Sequence, residues 1–321
     1  MSHFAGYLKT RPQDDDASSE RALLGRMART SHAPTQQLRS GRLWVAAVSV
    51  PVFRDAVVTA FGPGLVAMAG DPLPEPSAPQ DLLAGLAACR WQSLECTLGS
   101  FAALGWDGER LLLATDKVGS RPLYWKREAG RLLFATSLRW LRSLQGEAER
   151  VDEQGLAETL FLGQPLANRT ALAGVQVLRP GHALLVEASG EAREQRYFDL
   201  AAVTPRSMPQ DEAVPALHGA FSRAVQRRLR AGEQQAFLSG GLDSRAVVAE
   251  LIDQGQTVRS FCAAYPGSLD DLAGQQIAAH LGTRHHTWHR SPADRVRVAL
   301  DPFALYARDH FPDPLGQGAR A

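Results

Sequence analysis

The chain has 321 residues, of which 45% are hydrophobic, with 35 basic and 34 acidic side chains and a formal net charge of +1. That content fits folded globular structure rather than disorder, and the near-neutral balance excludes a long-range field that would recruit nucleic acid or membrane. No apolar run reaches the length of a membrane span, and residues 1–16 hold no signal-peptide core. Three cysteines, Cys89, Cys96 and Cys262, lack metal-ligand spacing and read as reduced core thiols, so a cytoplasmic protein is expected.

The length allows two domains. Residues 1–8 form a short, partly apolar start, and a helix is predicted from Ser19 to Arg29 within a polar stretch. Strand patterns follow at Leu43–Val50 and Leu65–Ala69. Four prolines between Asp71 and Pro79 predict a loop there. The spacing of Leu82, Leu83, Leu86 and Ala87 predicts a helix over 80–92. Short strands are predicted at 100–107, 111–115, 123–126 and 132–135, then helices at 137–144 and 153–162. A hairpin pairs 182–188 with 194–198 around Ser189-Gly190.

Near Ala201 the pattern changes. Residues 201–209 carry two prolines and read as a linker, followed by a long amphipathic helix over 210–229. Its basic stretch from Arg223 to Arg230 reads as a solvated helix face. Strands at 235–238, 257–263 and 284–289 then alternate with helices at 244–254 and 270–281, the pattern of a parallel α/β sheet. The expected organisation is a β-rich domain over 1–200, the linker 201–209, and a nucleotide-binding α/β domain over 210–321.

The most informative segment is Ser239-Gly240-Gly241-Leu242-Asp243-Ser244. It joins a predicted strand to a predicted helix, where ligands of open α/β sheets bind. Adjacent glycines adopt backbone angles that other residues resist and let a ligand approach the main chain. Successive N–H groups form an anion cup, and the following helix directs its N-terminal N–H groups at the same place. Ser239 and Ser244 add hydroxyls. Asp243 suits an anion site when a Mg²⁺ ion lies between it and the phosphates. No Lys follows the glycines, so this is not the common phosphate loop.

The hexapeptide resembles the PP-loop of the ATP pyrophosphatases, and five further segments resemble the asparagine synthetase family in order. Gly99–Asp107 resembles its GxFAxxxWD strand, and Thr115–Tyr124 its RDPLGxxPLY segment. Leu133–Ser137 resembles its FASE turn, Val177–Gly181 the loop before its linker, and Gly282–His286 its LGTxHH segment. The resemblance covers most of the chain. It implies an N-terminal nucleophile (Ntn)-type α+β sandwich, glutaminase-like, followed by a partial parallel α/β PP-loop domain.

The glutaminase residues of the family are missing. Ser2 stands where the family has its nucleophilic cysteine, and a hydroxyl is a far poorer nucleophile than a thiol. His32-Ala33-Pro34-Thr35 replaces HRGPD, and Ala69-Gly70-Asp71 replaces NGE, whose amide holds an oxyanion. A degenerate domain without glutamine hydrolysis is expected. Arg245 after the loop and the start Ala5-Gly6-Tyr7-Leu8 look most like the lasso-peptide cyclases, in which an amine of the substrate itself attacks an ATP-activated carboxylate. Glutamine-dependent asparagine synthesis and a non-catalytic nucleotide- or peptide-binding scaffold are the alternatives.

The resemblance implies that Ser239, Gly240, Gly241 and Ser244 hold the pyrophosphate of ATP and that Asp243 ligates Mg²⁺. Leu238 lies against adenosine, and Phe261 to Ala264, Ala263 among them, supply backbone contacts to adenine. Arg245 reads as an exposed helix arginine, and Asp270 and Asp271 as acids serving a helix dipole. His285 and His286 point to opposite faces of a strand and do not chelate one ion. The family's second acidic motif, SGxGxDExxGG, and a later lysine do not occur in this sequence. A C-terminally truncated or split form is therefore expected, without ligase activity alone. Its expected partners are ATP, a carboxylate substrate such as a precursor peptide, and a complementary C-terminal chain or a leader-peptide protease.

Overall fold

The computed structural model describes residues 3–11, 16–30, 35–48, 57–61, 64–74, 79–128, 130–146, 150–291 and 293. Over these residues the chain divides into two units, with the change between Val203 and Thr204. In the first unit the strands are β1 (His3–Lys9), β2 (Thr35–Ser40), β3 (Leu43–Val48), β4 (Val57–Phe61), β5 (Gly64–Pro74), β6 (Thr97–Trp106), β7 (Leu111–Thr115), β8 (Tyr124–Glu128), β9 (Arg131–Ala135), β10 (Gln176–Val177), β11 (His182–Val186) and β12 (Ala192–Arg196). Its helices are α1 (Ala17–Thr30), α2 (Pro79–Ala87), α3 (Leu138–Leu144) and α4 (Glu153–Leu162).

The strands form two six-stranded sheets, β10-β8-β9-β1-β3-β2 and β12-β11-β7-β6-β5-β4. Side-chain alternation along each strand splits its residues between two apolar layers. Phe4 and Leu8 of β1 join Leu65, Leu104, Trp106 and Leu113 between the sheets. Ala5 and Tyr7 turn the other way, onto Leu23 and Met27 of α1 and Trp140 and Leu141 of α3. On the far side of the second sheet, Val66, Phe101 and Ala103 pack against Leu82 and Leu86 of α2. The layers run helix, sheet, sheet, helix, which is the expected Ntn-type sandwich. Burying each large apolar side chain contributes about 1.5–3 kcal/mol.

Two expectations are corrected here. The proline-rich stretch from Asp71 does not begin as a loop: β5 continues through Pro72, opposite Gly99, to Pro74. On its other side β5 pairs with β4 only as far as Met68, so beyond that point it is an edge, where a missing N–H costs no ladder bond. Cys96 is exposed, whereas Cys89 and Cys262 are buried free thiols.

The second unit contains α5 (Gln210–Gln226), β13 (Gln234–Phe237), α6 (Leu242–Asp253), β14 (Val258–Ala264), α7 (Leu269–Leu281) and β15 (Arg284–His289). Its sheet is parallel, in the order β13-β14-β15. Right-handed crossovers place successive connecting helices on one face of such a sheet. Leu238, Val258, Val248 and Leu251 of α6 and Ala278 of α7 form the core there. The other face carries Phe237, 78% exposed, and Trp288, 73% exposed. Residues 292 and 294–321 lie outside the described residues.

Candidate functional site

The Ser-Gly-Gly turn leaves the carboxyl end of β13. Leu238 is fully buried and donates its N–H to the Phe261 carbonyl at 2.7 Å, which anchors the turn to the neighbouring strand. Four residues later Leu242 opens α6, with Gly241 in extended conformation (φ −74°, ψ 154°) at the N-cap and no side-chain cap. The first N–H groups of an α-helix have no intrahelical acceptor and remain available to an outside anion.

The two glycines are not there for unusual backbone angles, because neither adopts a left-handed conformation. They are there for close approach. A Cβ on Gly240 would lie 3.3 Å from Ala273 Cβ and from Asp270 Oδ1, and one on Gly241 would lie 3.3 Å from Ser239 Oγ. Any side chain at 240 would press on the first turn of α7.

The loop's polar groups are bonded across it. Ser239 donates its N–H to Ser244 Oγ at 3.1 Å, and the two serine hydroxyls are 3.1 Å apart. Gly241 donates its N–H to Ser239 Oγ at 3.2 Å. Gly240 is held through both of its flanking peptide units. Its N–H is donated to Asp270 Oδ1 at 2.9 Å, and its carbonyl accepts from Arg245 Nη2 at 3.1 Å. These two side chains are what the sequence reading missed. Arg245 is exposed on a helix, as read, but it clamps the loop. Asp270 stands at a helix start, as read, but it reaches a residue thirty positions earlier.

Asp271, the neighbour of Asp270, does something different. It is buried, accepts from the Gly267 N–H at 2.9 Å and from Gln275 Nε2 at 2.5 Å, and lies 3.3 Å from His289 Nε2. The Gly267 bond leads the causes that lower its pKa below the ordinary carboxylate value. It fixes the turn before α7 and thereby the position of Asp270.

The remaining expected site residues fall on two faces. Asp243 is exposed in the first turn of α6. Phe261 and Ala263 are half-buried on the less covered face of β14, level with His286 and Trp288 of β15. The Leu238 side chain belongs to the opposite, core face, and the whole residue is buried. His285 accepts or donates at Ser260 Oγ (2.8 Å) and Thr287 Oγ1 (3.2 Å), and burial first, then His286, lowers its pKa. His286 is exposed. Among the described residues no three His, Cys, Asp or Glu side chains form a group able to hold a metal.

In the first unit, Ser2 and residues 32–34 lie outside the described residues. Ala69-Gly70-Asp71 lies within β5, and Gly70 (φ 110°) and Gly99 (φ 98°) are the positive-φ positions that let β5 and β6 close up. A Cβ on Gly70 would meet the Ser100 carbonyl at 2.1 Å. The segment from Thr115 to Tyr124 is organised by the fully buried Asp116. Its carboxylate accepts from the N–H groups of Phe101, Val118 and Ser120 at 3.0–3.1 Å and from Ser120 Oγ at 2.6 Å.

Comparison with known proteins agrees with this division. A family model for a glutamine amidotransferase domain matches residues 82–198, and one for asparagine synthase matches residues 216–316. Glutamine-hydrolyzing asparagine synthetase 3 of Bacillus subtilis is 32% identical over 155 residues, covering 47% of this chain and 25% of that protein. Carboxyethyl-arginine beta-lactam-synthase of Streptomyces clavuligerus is 29% identical over 216 residues, covering 66% and 39%. The amidase chyE of Penicillium rubens is 28% identical, covering 65% and 33%. The chain thus spans a quarter to two fifths of the length of these relatives. The chain carries, in order, segments similar to a glutamine amidotransferase domain and to asparagine synthase, and it is similar to asparagine synthetases and related amide-forming enzymes.

Proposed function

We propose that the loop from Ser239 to Ser244 binds the pyrophosphate portion of Mg²⁺-ATP, in the service of AMP-forming amide ligation. The observation that carries this is the Asp270 oxygen on the Gly240 N–H at 2.9 Å. An anionic oxygen already fits the cup at hydrogen-bond distance, so a phosphate oxygen fits the same N–H. The Ser239 and Ser244 hydroxyls and the first turn of α6 supply further donors. Asp243 supplies one carboxylate for Mg²⁺, an ion that proteins commonly hold through one or two carboxylates together with substrate phosphates; bound there, it would neutralise charge on the phosphates. Phe261 and Ala263 are the groups we assign to the adenosine.

In the proposed reaction a substrate carboxylate oxygen attacks the α-phosphorus and pyrophosphate leaves. An amine nitrogen then attacks the acyl carbon, AMP leaves and the amine loses a proton. The chain's own contribution is to hold the polyphosphate and orient it. We assign the amine to the substrate itself, as in lasso-peptide cyclases acting on a precursor peptide, rather than to ammonia from glutamine. Ser2 at the nucleophile position and the lost HRGPD and NGE segments support that assignment. Glutamine incubated with the protein is then expected to release no glutamate.

Calorimetric titration of the purified chain with Mg²⁺-ATP tests the loop. Saturable binding that inorganic pyrophosphate competes away is expected, and that S244A weakens. Absence of heat with ATP and with pyrophosphate alike would sink the proposal.

A further inference from the structure

We infer that Asp270 makes entry of a polyphosphate into the Ser239–Ser244 loop depend on a divalent cation. This rests on the nucleotide reading above and adds a residue that the reading does not use. The Gly240 N–H has one acceptor, and that acceptor carries a negative charge. A phosphate oxygen aimed at the same N–H must displace the Asp270 carboxylate or lie beside it. Either way two anions crowd one donor, at a distance where like charges oppose binding even with solvent screening. A divalent cation between them reverses the sign of the interaction, because carboxylate and phosphate then share one counter-ion.

Asp270 is held at this place. It lies in the first turn of α7, whose start is fixed by the Asp271 bonds to the Gly267 N–H and to Gln275 and by the Ser268 hydroxyl accepting from the Asp271 N–H. The loop's approach from the other side is eased by the lack of a Cβ at position 240, where one would lie 3.3 Å from Asp270 Oδ1. Arg245, on the Gly240 carbonyl, holds the next peptide unit of the loop, 240–241. A helix-dipole role alone is satisfied by any acid in the first turn and calls for no bond to a residue thirty positions distant.

The test is the dissociation constant of inorganic pyrophosphate, with excess Mg²⁺ and with chelator, for the wild-type chain, Asp270→Asn and Asp270→Ala. The asparagine retains an acceptor oxygen without the charge, and the alanine removes both. Circular dichroism confirms that each variant is folded. In both variants the ratio of the Mg²⁺-free to the Mg²⁺-loaded constant is expected to fall about tenfold, chiefly through tighter Mg²⁺-free binding. A merely structural role would weaken both constants together and leave the ratio unchanged. An unchanged ratio in both variants, or a wild-type chain indifferent to Mg²⁺, overturns the inference while leaving the nucleotide reading standing. No pyrophosphate binding by the wild-type chain under either condition overturns both.

Discussion

The guanidinium of Arg245 donates to the Gly240 carbonyl at 3.1 Å, five residues back, across the start of α6. It therefore fixes the peptide unit that joins Gly240 to Gly241, whose N–H is donated to Ser239 Oγ on the other side. Both groups are solvent-accessible, so the bond contributes little to global stability, about 0.5 kcal/mol or less. Its value is local. Arg245→Ala is expected to leave thermal unfolding nearly unchanged and to weaken Mg²⁺-pyrophosphate binding about five- to tenfold, the scale of one typical hydrogen bond. Calorimetry beside a thermal melt separates the two effects, and an equal loss in both would refute a role confined to the loop.

Gly105 in β6 carries a second prediction. A Cβ there would lie 1.8 Å from the Leu86 carbonyl oxygen, in the backbone of α2. Backbone yields less readily than a side chain, so Gly105→Ala must push α2 off the sheet and open the layer of Leu82, Leu86 and Phe101. Overpacking of this kind costs about 1–3 kcal/mol, and more where main chain must move. Trp44, Trp106 and Trp140 are all fully buried in the first unit, so their fluorescence follows that unit in urea. The midpoint is expected to fall sharply, whereas Gly108→Ala, with no atom within 4 Å of the added carbon, tests the strain of its positive φ alone.

How much of this was legible in the sequence follows from what holds each element. The α4 and β15 bounds agree with the pattern because local cues define them: the Asp152 side chain caps α4 by accepting from the Gly155 N–H, and Gly163 ends it at φ 81°. In β1, every residue from His3 to Leu8 is buried, so no alternation of apolar and polar side chains announces a strand. In β2, the sequence Thr35–Ser40 has a single large apolar residue and exists by pairing with β3. Strands made by their neighbours leave no local signature. The same holds for the loop. Its backbone donors were readable from Gly240, Gly241 and the helix start, but Asp270 meets Gly240 only once β13, β14 and α7 are in place.

Asp271 gives a pH dependence whose sign follows from its partners. The Gly267 N–H, together with Gln275 and His289, holds its folded pKa below the usual carboxylate value of 3.8 despite burial. A depressed folded pKa means that the stabilisation is complete above the unfolded value and is lost as pH falls through the folded one. The second unit is thus expected to hold its melting temperature from pH 7 to about pH 4 on this account and to lose stability below that. Asp271→Asn is expected to flatten the acid limb and to melt lower at neutral pH, because the amide is a weaker acceptor for the Gly267 N–H. Circular dichroism melts between pH 3 and pH 7 check it, and an acid limb as steep in the variant as in the wild type would place the titrating group elsewhere.

The three thiols are expected to differ in reactivity for reasons that the fold supplies. The thiolate is the reactive form. Burial first, and then the Asp107 carboxylate, pushes the Cys89 pKa up to about 12, and its Sγ points at the Arg110 carbonyl, 3.1 Å away. Burial also raises the pKa of Cys262, with Asp270 and Asp271 adding to the effect. Cys96 alone of the three is exposed. A maleimide at neutral pH is expected to label Cys96 within minutes and to leave Cys89 untouched until the first unit unfolds, with Cys262 following the second unit. Peptide mapping after timed quenching reads this directly. Prompt labelling of Cys89 in the folded chain would contradict the packing of α2 against β6 described above.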